Sequence, residues 1–406
     1  MSLVGDFYMS VIFIGSTVDK ESLKKLKAAS IAGNKMQLGF IKGFLNNNIK
    51  TIAISVEPQE MWKMNNNPIF IRSKYLKDGN VEIFTISYIN IPIIKQISII
   101  INLKRKIKKI ISKDEFKKST LIVYNTMSIF ANPTLKIAKQ KKLLKIAIIA
   151  DLPIKKKKNF VRKLEDKKQI NYIKKFDALI PLTQYIAEDF APNVPFYVIE
   201  AGCNPDDYNE KQEIFDFNKK NKVIIFSGTL NELSGIELLL ETMELIEDKT
   251  IYLNIFGDGP LKKYVIEKTK NLSNVNYLGK VSNDQMLKNQ KEACLLVCPR
   301  KKDDFTTKYT FPSKILEYIC SGVPVLSNKL YGIPKEYEKY INFTKNETPQ
   351  EWKNNIKNIL DSKKYNFFLN KALEAKRICL KNKSWDNQVK NLVEYLKFKE
   401  INIENQ

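Results

Sequence analysis

Short runs of β-branched and aliphatic residues alternate with longer stretches of helical period along most of the chain. VIFIGST (11–17), KTIAISV (50–56), VEIFTIS (81–87), TLIVYN (120–125), KIAIIAD (145–151), ALIPLT (178–183) and PFYVIEAG (195–202) read as strands. Met36–Asn46 and Leu135–Lys142 are among the helical patterns between them. Strands that are apolar almost throughout, linked by helical crossovers, predict a parallel sheet covered on both faces.

The rhythm stops at CNPDDYNEKQEIFDFNKKNK (203–222), which is polar, lacks an apolar period and is the best position for a linker. It restarts with strands at 222–228, 251–257, 275–279, 294–299 and 323–328, and helices at 235–246, 260–270, 283–291 and 312–321. A helical pattern from Trp385 to Phe398 closes the chain. The prediction is an α/β fold of two Rossmann-like, doubly wound domains facing a cleft: residues 1–205, residues 206–384, and a terminal helix, 385–406, that crosses back to the first domain. Ligands of open α/β sheets sit beyond the carboxyl ends of the strands, so the turns there are where chemistry is expected.

Length agrees, since 406 residues exceed one ordinary core. Composition narrows the function. Sixty-eight Lys and Arg against 44 Asp and Glu give a formal charge of +24, which implies an anionic partner. The chain has no histidine, which excludes an imidazole base, nucleophile or metal ligand. Five scattered cysteines read as reduced core thiols of a cytosolic protein. Cys294 and Cys298 have no second pair beside them, so no metal site is expected. No segment reaches a membrane-spanning length, VIFIG is too short for a signal peptide, and the residues before Met9 read as leader.

The stretch KQISIIINLKRKIKKIISKDEFKK (95–118) reads as a basic amphipathic helix, with Ile97, Ile100, Ile101, Ile107, Ile110 and Ile111 as its apolar stripe. Lys104, Arg105, Lys108, Lys109 and Lys113 lie elsewhere on it, and PIKKKKNFVRKLEDKK (153–168) adds a second basic tract. This suits an anionic membrane surface, although a crossover helix with a solvated lysine face has the same pattern. Aromatic-interleaved basic motifs are missing, so nucleic acid is not an expected partner.

Several turns and strand ends carry candidate chemistry. FGDGP places Gly257 and Gly259 after a strand, either for close approach to a ligand or as a tight strand-to-helix turn. SGTLNELSG is glycine-bearing and opens a helix, a weak phosphate-cradle signal. In PRKKDDFTTKYTFPSK, Pro312 fits the first helical position, and the N–H groups of Ser313 and Lys314, with Arg300, would meet an anion at the positive helix end. Ser313, Glu317 and Ser321 form a polar stripe, and Glu317, one turn in, is either placed to accept from a diol such as a ribose or an ordinary exposed helix residue; spacing alone favours neither. In the first half, Gly33 and Asn34 either lie over a ligand or belong to a surface loop; Asp151, at a strand end that points at the same cleft, is either a site residue or a helix cap, and Tyr124 and Asn125 stand at a comparable strand end.

Together FSGTLNELSGIELLLETM, LNIFGDGP, NVNYLGKVSNDQM and YTFPSKILEYICSGVPVLSN, over residues 222–341, resemble the retaining GT-B glycosyltransferases of group 1, of the kind found in bacterial surface polysaccharide synthesis. The first half matches in layout only. The resemblance implies a retaining, metal-independent, hexosyl-type transferase with no cofactor. It would move a sugar from a nucleoside-diphosphate donor to a hydroxyl of a glycan or lipid-linked acceptor at the inner membrane face. Carried over by residue, Glu317 is the second glutamate of E-x7-E and binds the donor ribose. Ser313 and Lys314 meet the diphosphate, and Gly257 and Gly259 line the donor cleft. Lys280 and Val281 lie beside the base, and Gly33 and Asn34 form the first domain's donor loop. Asp151 joins Glu317, Lys314 and Arg300 as a catalytic candidate. The sequence departs from the family at Tyr309, where the first glutamate would stand, and at Thr229 and Ser234, where an Arg and a Lys would. Asp303 or Asp304 is the candidate to replace the acid, and Arg300 and Lys314 the bases. A weakly active, transferase-like partner subunit is the alternative these departures leave open.

Overall fold

A computed structural model describes residues 10–62, 68–153, 160–208, 221–303 and 305–399. The residues before Met9, the lysine run at 154–159, most of the expected linker (209–220) and Asp304 lie outside the described residues.

The chain forms two compact units: one takes the residues up to Gly202 together with those from Trp385 on, the other takes Cys203–Ser384. The first runs β1 (Ser10–Gly15), α1 (Lys20–Lys25), α2 (Ile31–Asn46), β2 (Lys50–Ser55), β3 (Phe70–Ile71), β4 (Tyr75–Asp78), β5 (Val81–Thr85), β6 (Tyr88–Ile89), α3 (Ile94–Ile111), β7 (Thr120–Tyr124), α4 (Ser128–Lys141), β8 (Lys145–Ile149), α5 (Phe160–Ile173), β9 (Ala178–Pro181) and α6 (Gln184–Phe190). The second runs β10 (Lys222–Ser227), α7 (Ile236–Glu244), β11 (Ile251–Phe256), α8 (Lys262–Thr269), β12 (Val275–Gly279), α9 (Asn283–Glu292), β13 (Leu295–Cys298), α10 (Lys314–Ser321), β14 (Val325–Asn328), β15 (Asn342–Thr344), α11 (Pro349–Ile359) and α12 (Tyr365–Asn382). The last helix, α13 (Trp385–Phe398), returns to the first unit.

Among the described residues the first unit holds a seven-stranded sheet in the order β4-β5-β2-β1-β7-β8-β9. It is parallel except for β4, which pairs antiparallel with β5. β1 and β7 are buried at every position, the mark of strands covered on both faces. The order reverses between β1 and β7, which makes that edge the switch point of this sheet. Residues 195–202 do not form the expected strand. The segment runs extended beside β9, with Leu179 N–H donating to Pro195 O and Tyr197 N–H to Leu179 O, and makes a single bridge, Leu179 to Phe196. Pro195 at its start has no N–H for a ladder.

The α13 helix lies along α2 through small residues. A Cβ at Gly39 would fall 2.2 Å from Trp385 Cε2, and one at Gly202 would fall 2.4 Å from Trp385 Cδ2. Asn47 Nδ2 donates to Asp386 O and Gln388 Nε2 to Ala201 O.

Helix α3 buries the second half of the expected isoleucine stripe and exposes most of the first. Ile99, Leu103, Ile107, Ile110 and Ile111 are buried, while Ile97 and Ile101 are exposed together with Ile93 and Ile94. Apolar residues are almost continuous from Ile97 to Ile101, so period alone could not select the inward row. Packing on the sheet does.

Among the described residues the second unit has a parallel six-stranded sheet ordered β12-β11-β10-β13-β14-β15, with its switch point between β10 and β13. Its core gathers Ile224, Leu239, Leu253, Ile255, Leu295, Val297, Leu326 and Trp352. Strand β15 and the two helices after it add to what period predicted. Trp352 anchors α11 by donating from Nε1 to Asn328 Oδ1 at 3.0 Å, and that oxygen also receives Thr344 Oγ1.

Candidate functional site

In the second unit the loops after the strands are tied into one surface. Gly228 N–H donates to Phe256 O, Leu230 N–H to Asp258 O, and Leu261 N–H to Leu230 O. Gly257 N–H reaches Gly279 O, and Tyr277 Oη donates to Gly257 O. Gly257 has φ +141, and a Cβ there would stand 1.8 Å from Gly228 O. The two loops therefore meet backbone to backbone, and Gly257 is first a packing glycine. Across the switch point, Gly235 opens α7 at φ +73, and a Cβ would meet Pro299 O at 1.8 Å. Asn328 Nδ2 donates to both Pro299 O and Arg300 O, so the loop after β13 is held from both sides.

Helix α10 stands over these loop ends. It begins at Lys314 with Ser313 as N-cap, so Pro312 precedes the cap instead of occupying the first helical position. Ser313 is exposed and makes no side-chain cap; Ile315 N–H turns back to Pro312 O. The N–H groups of Ser313 and Lys314 make no bond among the described residues. Ile315, Leu316, Ile319 and Cys320 are buried as expected, and so are Tyr318 and Ser321. Ser321 leaves the predicted polar stripe because its Oγ donates inward, to Tyr318 O. Tyr318 bolts the helix to β10: its Oη accepts from Ser227 N–H at 3.0 Å and shares a hydrogen bond with Ser227 Oγ. Burial pushes its phenol far up.

Glu317 is held in place. Its Oε1 accepts from Lys314 Nζ at 2.8 Å and from Gln290 Nε2 at 2.7 Å, and its side chain is 14% exposed. An ionised carboxylate only accepts hydrogen bonds, whether from donors such as these or from the hydroxyls of a ligand. Gln290, which sequence reading passed over, sits on the buried face of α9 with Met286 and Leu287. Its signal was a glutamine at an apolar-face spacing.

Arg300 is half-buried and donates from Nη2 to Thr310 Oγ1. Burial draws its guanidinium down from the usual range, opposed by Cys298 and Asp303. Lys301, also absent from the expectations, donates backbone N–H to Leu233 O and pairs with Glu237 on α7 at 2.7 Å. It brings a cation to the helix end where Ser234 carries none; Ser234 Oγ there accepts from Ile236 N–H. The Asp303 carboxylate caps its own turn, accepting from Phe305 N–H, Thr306 N–H and Thr306 Oγ1. Tyr309 is buried, edge-on to Phe305. Lys280 is exposed and Val281 half-buried in the loop after β12.

In the first unit a cavity of about 290 Å³ opens at the switch point, lined by Ser16, Gly33, Asn34, Tyr124, Asn125 and Asp151 among others. Asn34 is spent on the β1 loop: Oδ1 accepts from Val18 N–H and Thr17 Oγ1, and Nδ2 donates to Val18 O. Gly33 N–H donates to the α2 cap, Ser30 Oγ. Asn125, at φ +60, accepts from Ala150 and Asp151 N–H through Oδ1 and donates from Nδ2 to Asp151 Oδ2 at 3.4 Å. Asp151 is exposed at the cavity wall, and burial together with its charge raises the Tyr124 phenol. Among the described residues no cluster of acidic or cysteine side chains could hold a metal ion.

Residues 207–376 match the family model described as Glycosyl transferases group 1. The second unit is a group 1 glycosyl transferase domain. No curated protein matches the chain in sequence. Solved structures match the fold over nearly the whole chain. Sucrose-phosphate synthase from Thermosynechococcus elongatus aligns at TM-score 0.68 and 13% identity, over 96% of this chain and 99% of that one. Anabaena Alr3699/HepE in complex with UDP aligns at TM-score 0.65 and 14% identity, over 96% and 100%. The lipopolysaccharide outer core galactosyltransferase WaaB, in its apo form, aligns at 0.64 and 14%, over 96% and 99%.

Proposed function

We propose that the protein transfers a sugar from a nucleoside diphosphate to a hydroxyl of a glycan or lipid-linked acceptor, with retained configuration, in cell-surface polysaccharide or glycolipid assembly. The observation that carries this is Glu317, fixed by Lys314 and Gln290 at the mouth of α10, which is itself bolted to the end of β10. Glu317 accepts from the donor ribose, and the helix end with Lys314 and Arg300 receives the diphosphate. As the glycosidic bond breaks, negative charge grows on the departing phosphate. Preorganised N–H groups and cations stabilise it there without a metal. The departing phosphate takes the acceptor proton, a role that needs no histidine.

The acceptor side of the proposal rests on α3. Ile93, Ile94, Ile97 and Ile101 are exposed, and Lys104, Arg105 and Lys108 continue the same third or so of the helix circumference. An exposed apolar end followed by cations suits the inner, anionic face of a membrane. Among the described residues no helix is long and apolar enough to cross one.

The test is incubation with a panel of nucleotide sugars and lipid-linked acceptors, reading nucleoside diphosphate release and the anomer formed. Silence with every donor counts against the transferase. Flotation with phosphatidylglycerol vesicles tests α3, where Ile97→Asp with Ile101→Asp abolishes binding; equal flotation of the variant refutes the docking face. The partner-subunit reading is favoured by the buried Tyr309. It predicts that pathway function in cells survives Glu317→Ala and Lys314→Ala.

A further inference from the structure

Two destabilising features meet at one end of the first unit, around Asn90. The first is a turn. Ile93 stands at φ +68 and ψ −54, and Ile94 N–H donates to Pro92 O at 2.8 Å, which makes a γ-turn of the strained kind. A β-branched residue at positive φ is an outlier where a glycine would sit without strain. The second is the Asn90 side chain. It is fully buried, and its Oδ1 has no hydrogen-bond partner among the described residues.

These features hold three short segments together. Asn90 N–H donates to Ile69 O, Asn90 O accepts from Trp62 N–H, and Asn90 Nδ2 donates to Glu60 O at 2.7 Å. Strand β6, just before Asn90, pairs with β3 and sets Phe70 opposite Ile89. Around this bundle Ile69, Phe70, Ile93, Ile94 and Ile97 are all exposed. At 73%, Ile93 is the most exposed large apolar side chain among the described residues. Strained backbone and an unpaired buried carbonyl are kept at functional sites more than elsewhere.

The backbone here is satisfied from within. A helix start normally leaves its first N–H groups to water. In α3 the Ile94 N–H goes to Pro92 O, that of Lys95 to Ile91 O and that of Ile97 to Ile93 O. Pro92 has no N–H, and Ile89 N–H goes to Ser98 Oγ. Internal pairing is what a hydrocarbon layer requires of a backbone, and what water or a polar protein surface does not. Charge selects the same partner. Helix α3 carries six Lys and Arg and no acid, and Arg72 is exposed two residues beyond Phe70. Arg105 and Lys108 follow Ile94 at roughly 15–20 Å along the helix axis.

We propose that this end is an insertion tip: Ile69, Phe70, Ile93 and Ile94 enter the acyl layer of an anionic bilayer, while the cations of α3 stay at the lipid phosphates. This rests on the membrane reading of α3 and deepens it, from a helix lying on the surface to a tip that penetrates.

The experiment is tryptophan quenching of the full chain by vesicles of phosphatidylglycerol and phosphatidylcholine with brominated acyl chains. Trp352 and Trp385 are buried, so Trp62, half-buried and bonded to Asn90, is the reporter. The brominated chains should quench it, and Trp62→Phe should remove the quenching. Flotation with the same vesicles measures the affinity. Ile93→Asp should bind about tenfold or more weakly and lose the quenching. Ile93→Gly should also bind about tenfold more weakly. Its α3 amides should nevertheless exchange no faster than in the wild type, because the strain at that position is relieved. No flotation of the wild type defeats the membrane reading of α3 itself. Flotation without quenching leaves that reading standing and overturns the tip. A dimer that Ile93→Asp dissociates, with vesicle binding unchanged, assigns the patch to a second copy of the chain and overturns it too. Faster α3 exchange in Ile93→Gly shows Ile93 to be part of the packing, and overturns it as well.

Discussion

Replacing Gly257 with alanine tests whether the loops of the second unit are one assembly. The new Cβ would fall 1.8 Å from Gly228 O, against a tolerable contact of about 3.0–3.4 Å, and φ +141 is a strained backbone for any L side chain. The loops after β10 and β11 must separate by more than an ångström. Three bonds hold them: Gly228 N–H to Phe256 O, Leu230 N–H to Asp258 O, and Leu261 N–H to Leu230 O, at 3.0, 3.0 and 2.9 Å. At about 0.5–1.5 kcal/mol each, with about 1–3 kcal/mol of backbone strain, the loss is roughly 3 kcal/mol or more. Global melts of a two-unit chain are not two-state, so the measurement is native-state hydrogen exchange. Amides of β10, β11 and β12 should exchange about a hundredfold faster, while those of β1 and β7 stay as in the wild type. Exchange in β10 within about threefold of wild type would show that the loops yield freely, and the reasoning from close approach fails.

Glu317→Gln should weaken nucleoside diphosphate binding about tenfold or more, measured by calorimetry, and change unfolding stability by less than about 1 kcal/mol, because its ion pair is partly solvated. Trp352→Phe should cost roughly 1–2 kcal/mol by leaving Asn328 Oδ1 short of a donor, read as faster exchange in β14 and α11. Tyr88, Tyr124, Tyr318 and Tyr365 all have phenols raised by burial. A raised folded value means the stability they contribute is whole below the ordinary phenol value of about 10 and drains as pH rises beyond it. Urea midpoints should therefore fall between about pH 8 and pH 11, with tyrosinate absorbance appearing on unfolding; a midpoint that holds refutes the assignment.

The alternation of β1, β2, β7 and β8 with helices was legible because strands buried on both faces are apolar throughout. The edges were not. β4 is exposed or half-buried at every position, so no apolar pattern marks it, and the two-residue β3 and β6 are too short for any period. At the site, Lys314 and Glu317 were visible from a proline and a helical spacing. Gln290 and Lys301 were not, because what singles them out is a partner on another element: 27 residues away for Gln290 and 64 for Lys301. Ser321 failed in the opposite sense. Its spacing is that of the polar stripe, but a hydroxyl that bonds its own helix backbone can be buried at little cost.

The return of α13 to the first unit has a consequence for synthesis. Phe40 and Phe44 on α2 are fully buried or nearly so, and the Trp385 ring covers Gly39 and tilts against Phe40 at 5.1 Å between centroids. That face of α2 stays uncovered on the ribosome until the whole of the second unit has been made. The unit that starts first finishes last, so the growing chain carries an unfinished apolar patch through nearly its entire translation. A chaperone that holds nascent apolar surface should therefore stay on this protein until the tail emerges. A chain stopped at Ser384 should keep it bound.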